Sequence, residues 1–163
     1  MPPKRPRSKA AHAPATAPLP TLEDRAFGVL LHVTSLPGKH GMGDLGPEAH
    51  RWARRLQSCG ARWWQTLPIH PVDRYHSPYA AASAFAGFDG LISPDLLVRD
   101  GLLKPAEARP GKRLPDRRVD YDAALAHRRA LLALAYERFD ADDAFDAFCD
   151  REAHWLDDWT LYA

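Results

Sequence analysis

Residues 27–32, Phe-Gly-Val-Leu-Leu-His, form a short and nearly unbroken apolar run, the pattern of a strand buried on both faces. A long polar loop punctuated by Pro37 and four glycines follows. Pro47 suits the first turn of a helix, where its missing N–H leaves no bond unmade. Ala49, Trp52, Ala53 and Leu56 then recur at i, i+3, i+4 and i+7, while Glu48, Arg51, Arg54 and Arg55 face away. Gly60 fits the residue that closes this helix. A second β-rich run, residues 62–69, comes next. Strand, helix and strand in this order predict a βαβ unit with parallel strands and a right-handed crossover. Trp63 and Trp64, adjacent on the second strand, point to opposite faces, each by default into packing.

Residues 70–87 are too long for a simple strand-to-helix turn, and long ordered loops usually serve function. Leu91-Ile92 reads as a short strand, followed by a turn or short helix ending near Gly101. Residues 104–118 are polar and basic and are expected to be exposed. Two long helical patterns close the chain. Over 121–139 the apolar stripe reads Leu125, Leu132, Tyr136 and Phe139. Over 142–162 it reads Phe145, Cys149, Leu156 and Trp159 with Glu152 on the same face, widened by Phe148, Trp155 and Tyr162. This last pattern reaches Ala163 with no glycine cap, proline or charged stop. The chain is therefore expected to be cut short.

Length and composition change the picture modestly. The chain has 163 residues, with 45% hydrophobic and 26% charged positions, enough for one domain with a real core. The net charge of +1 argues against a dedicated nucleic-acid surface, although Lys4, Arg5, Arg7 and Lys9 all precede the first acidic residue, Glu23. Residues 1–24 carry six prolines and little apolar mass, so a disordered Pro/Ala-rich basic tail is expected there. The tail lacks the apolar core of a secretory signal, and its prolines break a transit-peptide helix. Cys59 and Cys149 make no disulfide framework, which suits a reducing, cytoplasmic setting. No apolar run approaches a membrane span. His32, His40, His50, His70 and His76 lack the short regular spacing of a zinc site.

The stretch His40 to Ala49 holds Gly41, Gly43 and Gly46 in the G-x-G-x-x-G arrangement of a dinucleotide-binding loop. Eight residues separate it from the strand, Asp44 would face the pyrophosphate, and Pro47 delays the helix. The better reading gives the glycines to a tight loop needing positive φ, with Asp44 hydrogen-bonding backbone amides ahead of the helix. Asp73 and Asp89 read as loop and turn residues, and nothing at sequence level pairs two of these carboxylates.

Taken in order and spacing, "GVLLHVTSLPGKHGMGDLGPEAHRWARRL", "WWQTLPIHPV", "SPYAAASAFAG" and "DLLVRDGLL" resemble the N-terminal portion of the 4-alpha-glucanotransferases, the amylomaltases or disproportionating enzymes of glycoside hydrolase family 77. "VDYDAALAHRRALL" and "FCDREAHWLDDWTLYA" are similar to that family as well, so the resemblance covers residues 25–163. The chain departs from the family's usual pattern at Val33, Ala80 and Phe88. The resemblance implies an α/β fold, the first part of a (β/α)8 barrel with an inserted helical subdomain, incomplete in this chain. It implies transfer of α-1,4-glucan segments to the 4-hydroxyl of an acceptor glucose or maltooligosaccharide. The mechanism would be a retaining double displacement on paired carboxylates, with no metal or organic cofactor. None of the family's catalytic carboxylates matches residues 1–163. Ser77 and Tyr79 carry over as substrate-binding residues. The tyrosine would offer a ring face and a hydroxyl to sugar, on a loop stiffened by Pro78. His32 would end the first strand at the barrel's C-terminal face. A second reading stays open: a non-catalytic remnant that binds glucan or a partner without turnover.

Overall fold

The computed structural model describes residues 25–110 and 118–163. The disorder expected of residues 1–24 and part of the exposed basic stretch 104–118 lie outside the described residues. β1 (Gly28–Leu30) and β2 (Trp63–Gln65) pair in parallel with Gly28 opposite Trp63, Val29 opposite Trp64 and Leu30 opposite Gln65. α1 (Pro47–Ser58) forms the crossover, with Pro47 at its start and Gly60, at φ 79°, just beyond its end. The parallel strands joined through a helix are as the pattern predicts. The strands are shorter than the apolar runs, because pairing stops where the chain turns into the long loops that follow each strand.

The strands are not buried on both faces, however. Leu30 is 59% exposed and Trp63 50% exposed, whereas Trp64 packs on the core and donates its Nε1–H to the Leu31 carbonyl at 2.8 Å. A two-strand sheet has nothing to cover its second face, so residues selected for burial stand open.

The core lies to one side of the sheet, where Val33, Leu36, Met42, Ala49, Phe88, Leu91, Ala124 and Leu125 meet. Leu91-Ile92 is not a strand. Asp89–Leu91 is a single 3₁₀ turn closed by the Asp89 side chain on the Gly90 amide, and Ser93 then leads into α2 (Pro94–Arg99). Two apolar residues cannot separate strand from turn by periodicity. α2 ends at Gly101, at φ 80°.

α3 (Tyr121–Tyr136) starts at Asp120, whose carboxylate caps the Ala123 amide. Its buried face is Ala124, Leu125, Arg128, Leu131 and Ala135, while Tyr136 is 79% exposed. Of the expected stripe, Leu125 is buried, whereas Tyr136 and Phe139 are exposed, so the true face is rotated from the expected one after Leu125. An arginine occupies the centre of the buried face, and an apolar reading passes over it. Arg138, just past α3, forks onto both oxygens of Glu107 at 2.7 Å each, tying residues 104–109 to this end of the helix. α4 (Asp143–Tyr162) is capped by Asp142 and follows its expected stripe. None of its residues is fully buried. It touches the rest through Phe145 against Phe139 and through Trp155 stacked on Phe85. No helix of the described residues is long and apolar enough to cross a membrane.

Candidate substrate-binding site

Parallel strands send both of their C-terminal ends to the same edge of the sheet, and in parallel α/β folds that edge is where ligand-binding loops gather. Here it carries residues 31–46 after β1 and residues 66–88 after β2.

The first loop is largely buried and hydrogen-bonded. His32 leads into a 3₁₀ turn, Val33–Ser35, whose valine and threonine are buried. Its imidazole is held below the usual histidine range by burial. Gly41 takes φ 85°, as the positive-φ reading expects. Gly43 and Gly46 serve close approach instead. A Cβ on Gly43 would overlap the Val33 carbonyl oxygen, and one on Gly46 would overlap Ser93 Oγ. Asp44 accepts the Gly46 amide at 2.9 Å through Oδ1, the amide bond anticipated ahead of α1. Its Oδ2 takes Arg128 Nη2 at 3.0 Å, and the same guanidinium reaches the Met42 carbonyl at 2.7 Å and the Ile92 carbonyl at 2.9 Å. Asp44 thus ties the glycine loop to both the start of α1 and the inner face of α3. Beside it His40, 1% exposed, lies against His127, with Nδ1 and Nε2 3.3 Å apart and the rings stacked.

The second loop is built on Asp73. Its Oδ1 accepts the amides of Tyr75 at 3.0 Å and Ser77 at 2.8 Å, while its carbonyl accepts the amide of His76 at 3.0 Å. Three donors converging on one residue make a closed turn of the kind aspartate favours. At the far side of the loop, His70 Nδ1 lies 3.1 Å from the Ala86 carbonyl, and the Phe88 amide donates to Ile69. Ser77 and Tyr79 are adjacent on this frame. The Tyr79 amide lies 3.4 Å from Ser77 Oγ. Tyr79 is 73% exposed, so its ring is not a packing element of the described residues. Tyr75, equally exposed, carries Arg74 over its ring at 4.7 Å.

Next to this loop lies a cleft of about 1010 Å³ whose walls include Asp73, Arg74, Tyr75, Asp89, Arg129 and Trp159. Ser77 and Tyr79 stand outside its lining. Asp73 and Asp89 both reach the cleft, but each is engaged locally: Asp73 by amides, Asp89 by the Gly90 amide and by Arg129 at 3.8 Å. Asp44 lies apart from both, locked to Arg128. The described residues therefore bring Ser77 and Tyr79 together, and the two carboxylates that share the cleft, Asp73 and Asp89, are each held by local partners. Among the described residues no group of three or more His, Cys, Asp and Glu side chains forms a metal-binding cluster. Sequence reasoning missed Arg128 and the organising role of Asp73. The signal for Asp73 was its position two and four residues before Tyr75 and Ser77.

A family profile described as 4-alpha-glucanotransferase matches residues 31–163. The chain is 42% identical over 144 residues to the 4-alpha-glucanotransferase of Thermus thermophilus and 38% identical over 140 residues to that of Aquifex aeolicus. Each match covers 85% of this chain and 28% of the relative. Among solved structures, amylomaltase from Streptococcus agalactiae in complex with acarbose superposes with a TM-score of 0.75 at 32% identity, covering 83% of this chain and 28% of that one. The chain spans a little over a quarter of the length of the relatives it matches. Residues 31–163 place it in the 4-alpha-glucanotransferase family, glycoside hydrolase family 77.

Proposed function

We propose that residues 25–163 are the N-terminal, substrate-positioning part of a 4-alpha-glucanotransferase. In this reading β1, α1 and β2 open a (β/α)8 barrel, and the helices after residue 120 belong to an inserted helical subdomain. The substrates are α-1,4-glucans and maltooligosaccharides, and the setting is cytoplasmic. The observation that carries the reading is the loop after β2. It stands at the C-terminal edge of the parallel strands and presents Ser77 with an exposed Tyr79 from a turn fixed by Asp73.

In the proposed reaction a carboxylate displaces the leaving sugar from the anomeric carbon, forming a glycosyl-enzyme ester, while a second carboxyl protonates the departing oxygen. The same carboxyl then takes the proton of the acceptor 4-hydroxyl as that oxygen breaks the ester. The residues described here would contribute position: Tyr79 lays its ring along a glucose and offers its O–H, and Ser77 adds a hydroxyl. Holding acceptor sugar in line favours transfer over hydrolysis through effective concentration. Because none of the family's catalytic carboxylates matches a residue of this chain, the 163 residues alone are read as a glucan-binding module without turnover.

Titration of the chain with maltotriose tests this. Tyr79→Ala should weaken binding by about 2 kcal/mol, roughly 30-fold, if the ring and hydroxyl both engage sugar. Equal affinity in the variant would remove Tyr79 from the site. Formation of longer maltodextrins by the purified 163-residue chain would overturn the absence of catalytic groups.

A further inference from the structure

His76 is the one non-glycine residue at positive φ among the described residues, at 61°. Left-handed backbone is strained for a residue with a Cβ, and it persists where the surroundings enforce it. The surroundings here are explicit. The His76 amide is tied to the Asp73 carbonyl at 3.0 Å. Its ring lies on the ring of Tyr121, at the first turn of α3, with centroids 5.0 Å apart and planes 17° from parallel. The Tyr121 hydroxyl in turn lies 2.9 Å from Oγ1 of Thr34, itself buried in the turn after β1. A line of contacts thus runs from the first loop, through the start of α3, to the residue immediately before Ser77.

The left-handed turn at His76 is what lets the following amide, that of Ser77, fold back onto Asp73 Oδ1 at 2.8 Å. Beyond it there is little slack. Pro78 has a fixed φ and restricts Ser77 to extended backbone, so the orientation set at His76 is passed to Tyr79. The contact of His76 Nε2 with Asp122 at 3.4 Å adds little, because Asp122 is 93% exposed.

We infer that His76, clasped by Tyr121, is the positioning residue that sets the orientation of Ser77 and Tyr79 toward sugar, an inference that rests on the glucan-binding reading above. The clasp makes the arrival of α3 a condition for a correctly shaped sugar loop.

The test uses the full chain and two readouts: amide hydrogen exchange at Ser77, and affinity for maltotriose. His76→Ala removes both the left-handed tolerance and the stack. Tyr121→Leu removes the stack and the Thr34 contact but leaves His76 itself in place. Each should raise exchange of the Ser77 amide and weaken maltotriose binding, by up to about tenfold for the stacked pair, while the protected amides of the α3 core stay unchanged. The double variant should be no worse than His76→Ala. His76→Asn, whose side chain tolerates left-handed backbone, should recover part of the loss, and Tyr121→Phe, which keeps the stack, should recover most of it. Asp122→Ala should do nothing. Unchanged Ser77 exchange in His76→Ala, or additive effects in the double variant, would overturn the inference. A wild-type chain that binds no maltooligosaccharide would remove the glucan reading, and the clasp would still be judged by exchange alone.

Discussion

Arg128 offers the sharpest test of the packing described above. It is 1% exposed on the inner face of α3, and it donates to the Asp44 carboxylate, the Met42 carbonyl and the Ile92 carbonyl at 2.7 to 3.0 Å. Burial lowers its pKa, and Asp44, with a smaller contribution from Asp95, opposes the shift. Replacing it by methionine keeps the volume and the helix propensity but strands a buried carboxylate and two carbonyls. Loss of one partner from a buried pair costs about 3–5 kcal/mol, so about 4 kcal/mol is expected. Arg128→Lys keeps the charge without the planar fork, cannot span three acceptors, and should cost about 2 kcal/mol. Asp44→Asn retains the bond to the Gly46 amide and should also cost about 2 kcal/mol. Urea denaturation reads all three. In a double-mutant cycle Arg128→Met and Asp44→Asn together should cost at least about 1 kcal/mol less than their sum. A cost below about 1 kcal/mol for Arg128→Met, or strict additivity, would show that the guanidinium does not hold these segments together.

Acid should loosen the same region. Burial pushes the His40 imidazole down to about 4, helped by Arg128, Lys39 and His127 and opposed by Asp95. The unfolded chain then binds the extra proton, so stability is complete above about pH 6.5 and is lost as pH falls toward 4. The amount is about 3 kcal/mol. His127 is lowered in the same direction, and His40→Met should flatten most of the slope in pH-dependent denaturation; a slope unchanged by that substitution would refute it. Gly43→Ala should cost about 2 kcal/mol, because its Cβ meets the Val33 carbonyl and not a movable side chain. Gly41→Ala should cost about 1 kcal/mol through its φ of 85°. Thermal unfolding of the two variants checks the order, and equal or reversed losses would refute the assignment of roles.

The βαβ unit was legible because its signals are local: apolar runs, a proline at the start of α1 and Gly60 past its end. The face of α3 was not, because its central residue is a cation, two of whose three partners lie more than eighty positions away. Leu91-Ile92 was misread because two apolar residues carry no period. The loop glycines were half legible. Gly41 needs positive φ, whereas Gly43 and Gly46 answer to neighbours that only the folded chain brings near. Ser77 and Tyr79 were singled out through resemblance alone. The left-handed backbone of His76 leaves no mark in the sequence, since histidine is common in ordinary loops.

The contacts that join the first loop to α3 share one property. Thr34 meets Tyr121 and His40 meets His127 across 87 positions, and Arg128 reaches Met42 across 86 and Asp44 across 84. All of them close the same large loop of chain. The entropy of closure is incurred by whichever forms first, and the others then add with almost no further ordering of the backbone between them. Such a set should form and break as a unit, so the junction ought to be slow to assemble and cooperative once assembled. The loop's own length is nearly irrelevant to its stability: even doubling the chain between the two ends would cost only about 0.6 kcal/mol. Added length in the stretch between α2 and α3 should therefore be tolerated while the contacts at the base of the loop stay the same.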